Sequence, residues 1–382
     1  MTITSVPFFR PSIGDAEIAA VSECMRSGWL TTGPNAGAFE TEFAALIGND
    51  VEAIAVNSAT AALHLGLEAL GIGAGDEVIV PTLTFTATAE VVRYLGARPV
   101  FVDMDPKTLC IDIQAAANAI TERTKAIMPV HFAGRACDMT ALRALADQHG
   151  IFIIDDAAHA LPTRHAGQLI GSDFADVTAF SFYANKTMTT GEGGMLTTRS
   201  ADIAQRCRTM RLHGIDRDVF NRFTDTKASW IYDVVAPGFK YNMTDMAAAM
   251  GRVQLTRVDE FAATRQRLAA RYDAAFADVP LTLPPHAAPG DSHSWHLYIV
   301  QVDQGAPQDR NALIETLRDA GIGTSVHYRP LHQMTYWSGL SGNAVFPAAD
   351  VYFERCVSLP LFMAMTDDEQ DYVIDTVRAA LT

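Results

Sequence analysis

From about residue 50 onward, short apolar runs alternate with stretches of helical periodicity. The run AIAV at 53–56 meets the small polar string NSAT, and the apolar segment AALHLGLEAL follows and stops at Gly71. The turn GAGDE leads into VIVP at 78–81, and a helix over 87–95 ends at Gly96. PVFVDMD, the helical IQAAANAI and the strand KAIMPVHF come next. A helix over 138–149 stops at Gly150 and feeds IFIID at 151–155. Apolar runs of four or five residues between helical segments predict a mostly parallel sheet buried on both faces. Helices that stop at glycine use the left-handed C′ position, which glycine reaches at little cost.

After about residue 195 the alternation weakens. Residues 245–279 read as long helix with room for a kink, able to bridge two domains. The proline-rich PLTLPPHAAPG then leads to a strand (WHLYIVQV), a helix (NALIETLRDAGIG), a short strand (TSVHY) and a final helix. Thr366 followed by Glu369 is a capping-box signature for that last helix. The predicted division is a large α/β domain over 1–255 and a smaller α+β domain over 256–382, a size that suits two domains.

Composition narrows the class. Hydrophobic residues are 49% and charged residues 19%, the balance of a globular chain. A net charge of −15 gives no general electrostatic reason to bind nucleic acid or an anionic membrane. A local pocket for an anionic small molecule remains open. Cys24, Cys110, Cys137, Cys207 and Cys356 are odd in number and scattered, with no CxxC pair, so they indicate neither a disulfide framework nor a zinc site. The opening MTITSVPFFRPSIGD has no basic stretch followed by an apolar run, and no segment approaches a span of about 20 apolar residues. The expectation is a cytoplasmic protein with no membrane partner.

Four strings could carry chemistry. NSATAALHLGL, 57–67, places small polar residues between a strand end and a helix start. Free backbone N–H groups there, aided by the helix dipole, suit a phosphate, although an ordinary N-cap by Asn57 or Ser58 explains the same pattern. IFIIDDAAHA, 151–160, puts Asp155 and Asp156 at the carboxyl end of a buried strand, with His159 three residues beyond Asp156. A buried carboxylate needs a cationic partner, and a protonated heterocyclic nitrogen is one. A metal site is disfavoured, because no second histidine or acidic pair follows at ligand spacing. AFSFYANKTMTTGEGGMLTT, 179–198, sets Lys186 among apolar and small residues. Burial lowers a lysine pKa and frees its amine as a nucleophile. Ser181, Thr187 and Thr189 offer hydroxyl donors, and Gly191, Gly193 and Gly194 let the backbone pass close to a bulky group. TSVHYRPLH, 324–332, carries His327, Arg329 and His332 and matters only if the smaller domain closes over the larger one.

A phosphate cradle, a carboxylate for a ring nitrogen and a nucleophilic lysine, in that order on one α/β sheet, are the parts pyridoxal phosphate requires. Phe85 in PTLTFTATA is placed to cover a flat ring.

The strings SGWLTTGP, NSATAALHLGL, PTLTFTATA, PVHFAG, IIDDAAHA, FSFYANKTMTTGEGG, GFKYNMTDMAAAM and SLPLF together resemble the DegT/DnrJ/EryC1/StrS family of sugar-nucleotide aminotransferases. The likeness runs from about residue 8 to the C-terminus. SGWLTTGP, APGFKYN and HYRPLH further resemble the branch that aminates the 4-keto position of nucleotide sugars, nearest to the enzyme that makes UDP-4-amino-4-deoxy-L-arabinose. The resemblance implies the fold type I, aspartate aminotransferase-like architecture and a homodimer with active sites at the subunit interface. It implies Lys186 as the residue that holds the cofactor covalently and Asp156 as the partner of its ring nitrogen. His159 would lie against the ring or its phenolic oxygen, and Phe85 would stack on the ring face. Ala59 and Thr60 backbone groups, with Ser181, would hold the phosphate, joined by Asn242 of the other subunit. Tyr183 and His327 match positions near the sugar. The family's acidic pair is commonly Glu-Asp and here is Asp155-Asp156, which shortens the first side chain only.

The expected activity is transamination from L-glutamate to a nucleotide-linked keto sugar at C4. Amination at C3, dehydration, and a non-catalytic sugar-nucleotide-binding regulator are the alternatives. Relatives that dehydrate carry histidine in place of the lysine, which Lys186 argues against. Lys240, Arg329 and the segment 216–230 could set the nucleotide, the sugar and its stereochemistry; Arg217 and Arg222 could meet a diphosphate, although a solvated loop face is the commoner reading of such residues.

Overall fold

The computed structural model describes residues 3–48, 50–216 and 232–382; Arg217 and Arg222 therefore lie outside the described residues. Among the described residues the strands are β1 (Glu52–Val56), β2 (Glu77–Pro81), β3 (Arg98–Val102), β4 (Thr124–Ile127), β5 (Phe152–Asp156), β6 (Arg164–His165), β7 (Gln168–Leu169), β8 (Val177–Ser181), β9 (Gly194–Thr198), β10 (Leu281–Thr282), β11 (Tyr298–Val302) and β12 (Cys356–Leu359). Seven of them form the main sheet in the order β1-β9-β8-β5-β4-β2-β3. The pairs from β8 through β5, β4 and β2 to β3 are parallel. β9 runs against both of its neighbours, β1 and β8. It does so because the chain turns back directly through the loop 182–193, whereas parallel neighbours need a crossover.

The apolar runs sit where a doubly covered sheet requires. Ile54, Val56, Val78, Val80 and Ile154 face one core, and Ala53, Ala55, Ile79 and Ile153 face the other. This alternation along each strand is the period-two rule. Helix α3 (Ala59–Ala69) packs on β8 and β9. Its Gly66 allows this, since a Cβ there would come within 2.8 Å of Val177.

A second sheet, β10-β11-β12, is antiparallel and has its own core of Leu268, Tyr272, Phe276, Val300, Val357 and Val373. Val6 belongs to that core and pairs with Ile322, so the N-terminal segment lies against the C-terminal region. The stretch read as one long helix is two, Asp245–Leu255 and Val258–Phe276. Val258 and Phe261 pack in a core of the main sheet, while Leu268 and Tyr272 pack in the core of the second sheet. The final helix starts at Asp367 with the expected reciprocal cap, Glu369 N–H to Thr366 Oγ1 and Thr366 N–H to Glu369 Oε2. TSVHY is not a full strand; only Ser325 bridges to Ser358. Helices α1 (Asp15–Ser27) and α2 (Pro34–Ile47) precede the alternation and were not anticipated. Among the described residues no helix is long and apolar enough to cross a membrane.

Candidate active site

β5 ends at Asp156, β8 ends at Ser181, and α3 begins at Ala59 beside β9. These ends converge at the carboxyl edge of the parallel strands, where open α/β sheets bind ligands. A cavity of about 400 Å³ opens there, lined among others by Ala59, Thr60, Phe85, Asp156, His159, Ser181, Tyr183, Lys186 and His327. Nine of the ten residues predicted for the site thus share one cavity. Asn242 does not line it. Its side chain donates to Thr32 Oγ1 at 2.7 Å and accepts from Lys240 Nζ at 2.5 Å.

Two ionisable groups, Asp156 and Lys186, line this cavity with no hydrogen bond or ion pair between them. Asp156 is 6% exposed. Its Oδ2 accepts from Thr88 Oγ1 at 2.8 Å and its Oδ1 from the Ala158 N–H at 3.1 Å. Burial raises its pKa, against the lowering effect of those bonds and of Lys186. Lys186 is pushed down to about 8 by burial, with Asp156 pulling it up and the Arg265 guanidinium pushing it down. At neutral pH about a tenth of such an amine is already unprotonated. Each group feels the other's charge, yet neither forms an ion pair with any described residue. A buried carboxylate and a half-buried amine on one cavity, with no ion pair between them, leave room for a cation-bearing ring.

The far end of the cavity suits a phosphate. Ser58 caps α3, its Oγ accepting from Ala61 N–H at 3.1 Å, and its carbonyl takes the Ala62 N–H. The N–H groups of Ala59 and Thr60 are left for a ligand at the positive end of the helix. Gly194 is needed here: a Cβ on it would lie 2.5 Å from the Ser58 carbonyl carbon and 2.7 Å from the Ala59 nitrogen. Ser181 Oγ accepts from Tyr183 N–H at 3.3 Å, which leaves its own proton to donate. Free helix N–H groups, a serine hydroxyl, a buried carboxylate without an ion-pair partner and a lysine of lowered pKa amount to a set that fits pyridoxal phosphate.

The loop 182–193 holds Lys186 in place through backbone bonds, Lys186 N–H to Tyr183 O and Thr190 N–H to Phe182 O. Thr189 spends its hydroxyl on Phe182 O at 3.1 Å, so it shapes this loop instead of donating into the cavity, and Thr187 likewise does not line it. Phe85 is 57% exposed at the mouth, its ring 6.0 Å from that of Tyr328. His327 is fixed by Ser358 Oγ, 2.7 Å from its Nδ1, and burial pushes its pKa down to about 4, so it is neutral. Asp155 points to the other face of the sheet, 3.3 Å from His131 Nε2. Strand alternation therefore separates the roles of the two adjacent acids.

Sequence reasoning missed Thr88, Asn185, Glu192 and Tyr328. Thr88 lies in a string singled out for Phe85 alone. Tyr328 is adjacent to His327, but nothing in the string HYRP shows that its hydroxyl reaches His159.

Residues 11–378 match the DegT/DnrJ/EryC1/StrS aminotransferase family. The chain is 47% identical over 377 residues to the spore coat polysaccharide biosynthesis protein SpsC of Bacillus subtilis (strain 168), covering 98% of this chain and 96% of that protein. Among solved structures it is similar to "Putative sugar aminotransferase Spr1654" from Streptococcus pneumoniae in its PLP form, with a TM-score of 0.91, 37% identity, and coverage of 98% of both chains. It is also similar to DesV of S. venezuelae in complex with a ketimine intermediate, with a TM-score of 0.87, 34% identity, and coverage of 99% of this chain and 98% of that one.

Proposed function

The chain belongs to the DegT/DnrJ/EryC1/StrS aminotransferase family and is a pyridoxal-phosphate-dependent sugar aminotransferase, and from that premise we propose that it carries the amino group of L-glutamate to C4 of a nucleotide-linked 4-keto sugar. The products are 2-oxoglutarate and a 4-amino sugar nucleotide. The observation that carries transamination is the cavity lined by Asp156 and Lys186 with no ion pair between them. The choice of a 4-keto acceptor is supported by the strings SGWLTTGP, APGFKYN and HYRPLH.

Pyridoxal phosphate, when bound, supplies the electron sink that lets a donor Cα–H ionise. The residues do the rest. Asp156 keeps the ring nitrogen protonated, and Thr88 and the Ala158 N–H hold its carboxylate in place. Ala59, Thr60 and Ser181 bind the phosphate. Lys186 would hold the cofactor and, as a free amine, would take the proton from the donor Cα. In the second half of the cycle it delivers a proton to C4 of the sugar. Phe85 covers the ring, His159 borders it, and Tyr183 and His327 line the sugar's approach. A second copy of the chain brings Asn242 to the phosphate, which fits its place outside its own subunit's cavity. The whole works as a cytoplasmic homodimer; that all five cysteines are unpaired is in keeping with a reducing compartment. Arg329 and Lys240 remain the described candidates for setting the nucleotide and the sugar.

A panel of UDP-, GDP- and dTDP-linked 4-keto and 3-keto sugars, incubated with glutamate and holoenzyme, tests the reading by mass and NMR of the product. The expected result is one nitrogen gained at C4. Nitrogen at C3 only, a deoxygenated sugar without nitrogen, or no conversion of any member contradicts it.

A further inference from the structure

His159 and Tyr328 form a hydrogen-bonded pair on the cavity wall, with Tyr328 Oη 3.2 Å from His159 Nε2 and the rings stacked at 6.2 Å. His159 is 6% exposed, and its Nδ1 is buried without a hydrogen-bond partner. Burial, with Lys186 and His327 nearby, holds the imidazole neutral. A neutral ring has one N–H to place. On Nδ1 it would be a stranded donor in a region already positive from Lys186. On Nε2 it has Tyr328 to bond, and only a lone pair is left unpaired, the less costly of the two outcomes.

The second tautomer has a consequence for Tyr328. Its oxygen then accepts from His159, so its own proton is uncommitted. The hydroxyl has no other partner among the described residues. Of the other rings around it, Phe85 at 6.0 Å and Phe132 at 6.1 Å offer no acceptor, and His327 at 4.9 Å takes no hydrogen bond from it. Burial and Asp156 keep the phenol protonated. A buried hydroxyl with a free proton, on the wall of a ligand cavity, points to a ligand acceptor.

The chemistry of the cofactor says which acceptor. In pyridoxal phosphate, the phenolic oxygen and the phosphate arm lie on opposite flanks of the line from ring nitrogen to aldehyde carbon. Asp156 and Lys186 mark the ends of that line, and the start of α3 with Ser181 takes the phosphate flank. His159 and Tyr328 line the same cavity as Asp156 and Lys186, and their hydrogen-bonded pair is a polar stretch of wall separate from the start of α3 and Ser181. We propose that Tyr328 is a further cofactor-binding residue: it fixes His159 as the Nε2–H tautomer and donates its own proton to the phenolic oxygen. The inference rests on the assignment of Lys186 and Asp156 above, but not on the identity of the amino acceptor.

The test is a spectrophotometric pH titration of the lysine-bound cofactor in wild type and Tyr328→Phe, without glutamate or sugar. The linkage keeps its proton between nitrogen and phenolic oxygen. A hydroxyl donating to that oxygen competes with this proton, so removing the hydroxyl should raise the midpoint by about one pH unit, the size of one charge-assisted hydrogen bond. Phenylalanine preserves the ring contacts, so a purely structural role predicts no shift. Imidazole ¹⁵N NMR of the wild-type apoenzyme supplies a second readout that needs no variant: His159 should carry its proton on Nε2. An unchanged midpoint, or a proton on Nδ1, overturns the proposal. Because neither readout uses a sugar, a wrong acceptor in the panel above leaves both standing.

Discussion

Lys186→Ala should lose the absorbance of the lysine-bound cofactor and at least about four orders of magnitude in transamination rate, the scale of a positioned proton-transfer group that also holds the cofactor. The argument starts from burial. An amine removed from water, with its pKa lowered to about 8, is available as a free base where an exposed lysine would stay protonated. Among the described residues no other lysine lines the cavity. The side chain makes no hydrogen bond or ion pair with described residues, so in the apoenzyme alanine removes a partly desolvated cation and breaks no polar contact. Compared as apoenzymes, the variant should therefore melt no earlier than wild type, which separates loss of chemistry from loss of fold. Single-turnover absorbance with glutamate, alongside a thermal melt, checks both halves. Full turnover by the variant would refute the assignment.

Asp156→Asn is expected to slow the half-reaction with glutamate by about two to four orders of magnitude. The substitution conserves shape. The Oδ1 that accepts from Ala158 N–H remains, and Thr88 Oγ1 can accept from the new amide because its own proton can turn to the Phe85 carbonyl, 3.1 Å away. What is lost is the negative charge opposite the ring nitrogen. Removing one partner of a buried charge pair costs about 3–5 kcal/mol. If that cost falls on the transition state, the rate drops by the stated range. Stopped-flow rates with glutamate are the measurement, and a loss of less than tenfold would remove Asp156 from its role.

Much of this site could be read from residue order because its parts sit at element ends. Asp156 closes a buried apolar run, Ala59 and Thr60 open a helix, and the glycines after Lys186 turn the chain back. Each of these is a local pattern. The parts that could not be read depend on partners distant in sequence. Thr88 reaches Asp156 across 68 residues, and Tyr328 reaches His159 across 169. Helix α1 escaped notice because its buried side chains include Glu17, whose carboxylate accepts from Gln254 and Arg257, while Ile18 and Met25 stand exposed. Its polarity pattern is the reverse of an ordinary amphipathic helix. The break between the helices Asp245–Leu255 and Val258–Phe276 falls at Thr256 and Arg257, with no proline or glycine to mark it. There the chain passes from helix packing against α1 and α2 toward the core of the second sheet.

The central claim is that the amine of residue 186 carries the cofactor. Borohydride reduction of the holoenzyme makes that bond permanent, and peptide mass spectrometry then finds it. The chain has five lysines, so the mark has few places to fall. The account predicts a phosphopyridoxyl group on the peptide containing Lys186 and on no other. A modified Lys107, Lys125, Lys227 or Lys240 in place of Lys186, or no modified lysine in a yellow holoenzyme, would contradict it.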